Sequence, residues 1–187
     1  MSRCDKLREW FMAKGGHLSP CVQLTESPAN GIHVRGAPIL ETESPPAETL
    51  ICTCPLSLTL SYLNALPPNT TRNGAQNGSP VRQVSGDLTL LYDVVPNHVL
   101  SRFVLIEQRL LGPDSFWEPY IGCLPLTEED DRLSTPLYFS VEDKQWVRGT
   151  NISNAIDTRR TLWKEEWTVA CMEMDNRGLN VSQKYTW

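Results

Sequence analysis

Ser115-Phe116-Trp117-Glu118-Pro119-Tyr120, followed by Leu124-Pro125 and then Thr135-Pro136-Leu137-Tyr138-Phe139, is the stretch on which the fold turns. It interrupts a half of the chain that otherwise reads as helix. Upstream, Pro96 suits the first turn of a helix, where its missing N–H has no partner to lose. Val99, Phe103, Ile106 and Leu110 then recur one helical turn apart and predict a buried stripe, until Gly112-Pro113 breaks the pattern. Downstream, Ser140 with Asp143 resembles a capping box ahead of Trp146 and Val147, with Asp where Glu or Gln is usual. Gly149 ends that short helix. A longer helix is predicted over 154–174, with Trp163, Trp167, Cys171 and Met174 on its apolar face. Residues 175–182 are polar and turn-like. Tyr185 and Trp187 then follow, with no later element for these large apolar rings to pack on.

The other half has a different texture. Residues 1–16 read as a helix with Leu7, Trp10 and Phe11 on one face, stopped by Gly15-Gly16. Short segments of strand character follow at 22–24, 32–34 and 50–54, the last closed by Pro55. Glycine and proline punctuate them, as in a meander of short strands. Residues 56–66 form a short helix candidate ending at Pro67-Pro68. Residues 69–87 are polar and predict an exposed loop or disordered insertion. No internal repeat is visible. The fold class expected is α+β, short strands first and helices after. The organisation expected is an N-terminal helix with strands over 1–66, a flexible insertion over 67–90, and a helical region over 91–187.

With 187 residues the chain has room for one domain or slightly more. Seventeen basic and 22 acidic residues leave a net charge of −5, which gives no basic footprint for nucleic acid. An acidic surface tolerates a basic partner, such as a lysine-bearing protein. No stretch approaches the roughly 20 apolar residues of a membrane helix. Residues 1–16 carry charges throughout and lack the apolar core of a secretory signal. A location in the cytoplasm or nucleus is therefore expected, with the sequons at Asn69, Asn77, Asn151 and Asn180 unglycosylated. The six cysteines are Cys4, Cys21, Cys52, Cys54, Cys123 and Cys171. Only Cys52 and Cys54 are close. No partners for a zinc site lie near them, so reduced, buried thiols are expected and no metal.

Generic catalytic signatures are absent: there is no G-x-S-x-G, no H-E-x-x-H and no P-loop. His17, His33 and His98 are far apart in sequence. The run Glu128, Glu129, Asp130 and Asp131 reads as a solvated loop before it reads as a cation site. Trp163 and Trp167 have the residue types of an aromatic cage for methyl-lysine. Their spacing on one helix face fits core packing better.

Two segments say more together than apart. One is Asn30-Gly31-Ile32-His33-Val34-Arg35, a glycine turn into a strand. The other is the Ser115 stretch with its Leu-Pro and Thr-Pro-Leu-Tyr-Phe sequels. Their order resembles that of the SET-domain lysine methyltransferases similar to the Rubisco large-subunit enzyme. In that family an N-terminal helix with a Trp and a Gly-Gly end comes first, as over 7–16. A glycine-turn motif and a strand ending in Pro follow, as over 50–55. A helical insert then carries Ser-Phe-Trp-x-Pro-Tyr. Gly149-Thr150 and Trp163-Lys164-Glu165-Glu166-Trp167 also fit. The resemblance covers nearly the whole chain outside 69–87, and the insert motif is its specific part.

The resemblance implies a partial SET β-fold and an enzyme that uses S-adenosylmethionine to methylate a lysine of a protein substrate. It places the cofactor's methionine end against Asn30, Gly31, Ile32 and His33. Glycine suits such a place, because a backbone approaches a ligand closely only where no Cβ intrudes. The chain has Gly31-Ile32-His33 where the family has Gly-x-Gly. The family's Asn-His pair and catalytic Tyr have no counterpart among these 187 residues, so no catalytic residue is assigned. The expectation is a shortened chain with little or no methyltransferase activity. The alternative is a non-catalytic protein-interaction fragment or pseudoenzyme.

Overall fold

The computed structural model describes residues 1–27, 31–37, 48–66, 84–125, 133, 135–179 and 181–185. Helix α1 (Arg3–Ala13) begins at a capping box. Ser2 Oγ accepts from the Asp5 N–H at 3.1 Å, and Asp5 accepts from the Ser2 N–H at 3.1 Å. The helix ends at the two glycines. The second must be glycine for steric reasons, since a Cβ on Gly16 would lie 2.6 Å from the Phe11 ring.

Four short strands follow. β1 (His17–Leu18) pairs antiparallel with β4 (Cys52–Thr53), and β2 (Val22–Ser27) pairs antiparallel with β3 (Gly31–Gly36). Of the segment expected at 50–54 only two residues pair, and Leu50 is left exposed. The helix expected over 56–66 is instead two separate 3₁₀ turns, Leu56–Leu58 and Tyr62–Ala65. The break is at Ser61. Its backbone is extended, its hydroxyl accepts from the Leu63 N–H at 3.3 Å, and its own N–H donates to Asn64 Oδ1 at 2.7 Å. That local bonding substitutes for helical bonds and ends one turn before starting the next.

The helical half holds the core. α2 (Gly86–Thr89) is one turn whose Leu88 is fully buried; residues 67–83 of the expected insertion lie outside the described residues. α3 (Asn97–Leu111) starts after Pro96, which is its N-cap rather than its first helical residue. The expected stripe on α3 is corrected by the structure. Val99 and Phe103 are buried and Ile106 is partly so, but Leu110 is 56% exposed. The buried face runs through Val99, Leu100, Phe103, Val104, Glu107 and Gln108. Two polar residues sit on it because each has partners. Glu107 accepts from the Ser85 N–H at 3.0 Å, and Gln108 Oε1 accepts from Ser115 Oγ at 2.8 Å.

α4 (Glu118–Ile121) and α5 (Val141–Trp146) are short. α5 is capped by Ser140, whose Oγ accepts from the Asp143 N–H at 3.0 Å. α6 (Asn151–Asn176) is longer at both ends than its apolar pattern predicts. Ala170, Cys171 and Met174 enter the core, while Trp163 and Trp167 are half-buried. Tyr185 corrects the expectation of a ring without a packing surface. It is buried, with its ring edge-on to Phe103 at 5.3 Å. Trp187 lies outside the described residues. The mixture of helices and small antiparallel sheets is consistent with the α+β class.

Candidate functional site

The residues singled out for cofactor contact lie at the β2–β3 hairpin. Gly31, Ile32 and His33 open β3; Asn30 lies outside the described residues. Register places Ser27 opposite Gly31, Glu26 opposite Ile32, and Thr25 opposite His33. Alternation along a strand then divides the hairpin into two faces. Leu24, Glu26, Ile32 and Val34 share one face. Thr25, His33 and Arg35 share the other.

The first face looks toward α1. Glu26 is ion-paired with Arg3, and Leu24 and Val34 line an apolar groove of 360 Å³ with Leu7, Trp10 and Phe11. Gly31 has φ +58°, a conformation that L side chains rarely adopt. A Cβ there would meet nothing within 4 Å among the described residues. Glycine is thus set by backbone conformation, and its flank is open to a ligand.

His33 is held by the hairpin itself. Nδ1 lies 3.0 Å from the Gly31 carbonyl oxygen and Nε2 lies 3.1 Å from Thr25 Oγ1. A carbonyl oxygen only accepts, so Nδ1 carries the hydrogen, and in the neutral ring Nε2 accepts from the Thr25 hydroxyl. The imidazole therefore closes the hairpin across its second face.

The Ser115 motif serves packing. Trp117 is fully buried and donates from Nε1 to the Leu58 carbonyl at 2.9 Å. Ser115 Oγ accepts from the Trp117 N–H at 3.1 Å. Phe116 stands edge-on between Trp10, at 5.5 Å, and Trp117, at 5.0 Å. Lys6 of α1 pairs with Glu118 at 2.7 Å. The motif thus staples α1 and the Leu56–Leu58 turn to α3. The Pro136–Tyr138 turn of the second motif lies against α6, where Arg160 donates to the Leu137 carbonyl at 2.6 Å.

The thiols divide into three pairs by exposure. Cys4 and Cys171 are buried, Cys21 and Cys123 are half-buried, and Cys52 and Cys54 are exposed, which corrects the expectation of buried thiols at that pair. Burial, with a smaller effect from Asp175, pushes the Cys171 thiol up to about 11. Partial desolvation by its neighbours also raises Cys54, though the residue is exposed, and neighbouring Cys52 adds to it. Each is thereby held as the less reactive thiol. His98 lies 2.8 Å from Glu166 and, with Arg102, holds that carboxyl below its ordinary range. Among the described residues, no group of three or more His, Cys, Asp or Glu is placed to hold a metal ion, and no helix is long and apolar enough to cross a membrane.

Set against known proteins, the chain is 36% identical over 75 residues to the Ribosomal lysine N-methyltransferase set10 of Schizosaccharomyces pombe. That stretch is 40% of this chain and 13% of the yeast protein. No family model matches, and no solved structure matches. The partial match supports a likeness to SET-domain lysine methyltransferases.

Proposed function

We propose that this chain belongs to a protein-lysine N-methyltransferase of the SET kind, similar to the Rubisco large-subunit enzyme, with a partial SET β-fold in its N-terminal strands. The observation that carries this reading is the 36% identity over 75 residues to a lysine N-methyltransferase. The order of the glycine turn and the Ser115 motif agrees with it.

Under this reading Gly31, Ile32 and His33, with Asn30 before them, form one wall of an S-adenosylmethionine site. The described residues fit that role at one point: the positive φ and open flank of Gly31 expose backbone that a side chain would cover. The cofactor supplies a methyl group on a sulfonium centre. The chain's part is to orient the cofactor and exclude water beside it. His33 contributes by fixing the Gly31 carbonyl, since its Nδ1–H is already bonded there. No residue of this chain is assigned to the transfer step, and weak or no activity of this chain by itself is part of the proposal. So are a lysine-bearing protein as substrate, a location in cytoplasm or nucleus, and the absence of nucleic-acid and membrane partners.

The second reading is a non-catalytic interaction module. It is favoured by the exposed apolar residues of the helical half, with Trp146 at 87% exposure and Val141, Leu162, Val169 and Met172 also exposed. Calorimetric titration with S-adenosylhomocysteine separates the two. The enzyme reading expects saturable binding that Gly31→Val removes, and because Val is strained at φ +58° the loss counts only where circular dichroism shows the variant folded. Absence of binding by the unmodified chain favours the interaction module. Binding that Gly31→Val leaves intact moves the cofactor wall away from this hairpin.

A further inference from the structure

A cleft of 610 Å³ lies between α3, α6 and the Pro136–Tyr138 turn. Its volume is in the range of small-molecule sites, roughly 300–1,000 Å³. Its aromatic lining comes from Phe103, Tyr138, Trp163 and Trp167. Two parallel rows on α6 shape it. Trp163 and Trp167 are one helical turn apart, and so are Arg160 and Lys164, so the aromatic row runs beside a cationic one. Trp167 is fixed by its Nε1–H bond to the Tyr185 carbonyl at 3.1 Å. Trp163 has no such bond; its buried Nε1 lacks an acceptor among the described residues, and its ring is placed by packing and by the Arg102 guanidinium 5.4 Å above it.

Charge decides what such a cleft would hold. Arg102, Arg160 and Lys164 line it against one carboxylate, Glu166. Glu166 is already bonded by His98 and Arg102. Among the described residues Arg160 meets only a neutral carbonyl, that of Leu137, and Lys164 has no ion pair. A cationic guest such as methyl-lysine would have to displace Arg102 from both Trp163 and Glu166, and would add repulsion from Arg160 and Lys164. An aromatic anion meets neither obstacle. Its ring would lie on the tryptophans and its charge against two cations that have no ion pair among the described residues.

We propose that the α3–α6 cleft is a binding site for a small aromatic anion, a ring bearing a carboxylate or a phosphate, held by Trp163 and Trp167 and oriented by Arg160 and Lys164. The site is separate from the glycine hairpin and does not depend on the methyltransferase reading.

The test titrates the whole chain with 2-naphthoate, 2-naphthyl phosphate, neutral 2-naphthamide and a naphthylmethyl-trimethylammonium salt, reading tryptophan fluorescence and heat. At least one anion should saturate at sub-millimolar concentration and bind at least tenfold more tightly than the amide. The tighter of the two anions identifies the natural charge group. Arg160→Glu and Lys164→Glu are surface changes, checked for folding by circular dichroism. Each should weaken the anion about tenfold and leave the amide unchanged. Tighter binding of the ammonium salt would overturn the proposal in favour of a cation cage. Equal binding of anion and amide, or no saturation by either anion, would overturn it outright.

Discussion

The two halves of this molecule are built to different standards of burial. The two-stranded sheets of the N-terminal half have no buried position: each strand mixes half-buried and exposed residues, except β4, which is exposed throughout. The helical half has a contiguous core running from Ala65 through α2, α3 and the end of α6 to Val181 and Tyr185. A helix bonds its own backbone and needs only one stripe covered. A two-stranded ribbon leaves half its backbone groups unpaired at its edges and is marginal without further strands or a packed face. The helices thus carry a core of their own, while the hairpin depends on what packs against it. The Ser115 motif is the joint between them.

That contrast is most directly broken at the joint. Trp117→Ala should cost about 3–5 kcal/mol, the range for truncating a buried aromatic ring. It also leaves the Leu58 carbonyl without its donor. Urea denaturation followed by circular dichroism measures the loss. A loss below about 1 kcal/mol would mean that the halves are not joined through Trp117.

A paired truncation sharpens the comparison. Leu100, fully buried on α3, should cost about 2–5 kcal/mol as Leu100→Ala. Leu24, half-buried on β2, should cost about 1 kcal/mol as Leu24→Ala. Equal costs in the same denaturation experiment would erase the distinction drawn between the halves.

The smallest effect is expected at Tyr185. Its ring is in the core, but its buried hydroxyl makes no well-formed hydrogen bond among the described residues. Lys184 stands beside it, its Nζ 5.0 Å from the ring centre, and lowers the phenol's pKa against the larger effect of burial. Burial raises the phenol above its ordinary range, as expected of a group kept neutral. Tyr185→Phe removes an unsatisfied group and should leave stability unchanged or raise it by up to about 1 kcal/mol. A fall of that size would show that the hydroxyl is bonded after all.

Much of this was legible in the residues. The Gly-Gly end of α1, the Ser140 cap, the glycine turn into β3 and the apolar face of α6 all follow from local rules, because caps, turns and helical periodicity act within a few residues. The likeness to lysine methyltransferases rested on motif order and was supported, over 75 residues, by a protein of that activity. What hydropathy could not rank was the buried face of α3. Glu107 and Gln108 are polar residues made tolerable by Ser85, 22 residues before Glu107, and by Ser115, beyond the end of α3. Leu110, apolar and on the expected stripe, was left outside.

The Ser115 motif shows the same division. Its residue types and order were a property of the sequence, and they pointed to a family. That Trp117 spends its indole N–H on Leu58, and Phe116 its ring on Trp10, was decided by tertiary structure alone. The α3–α6 cleft belongs to the second class too. Its aromatic and cationic rows are written into one helix, but a cleft exists only because α3 and the Pro136–Tyr138 turn stand across from them. Local sequence determines which groups a segment presents, and packing between distant segments determines which of them meet.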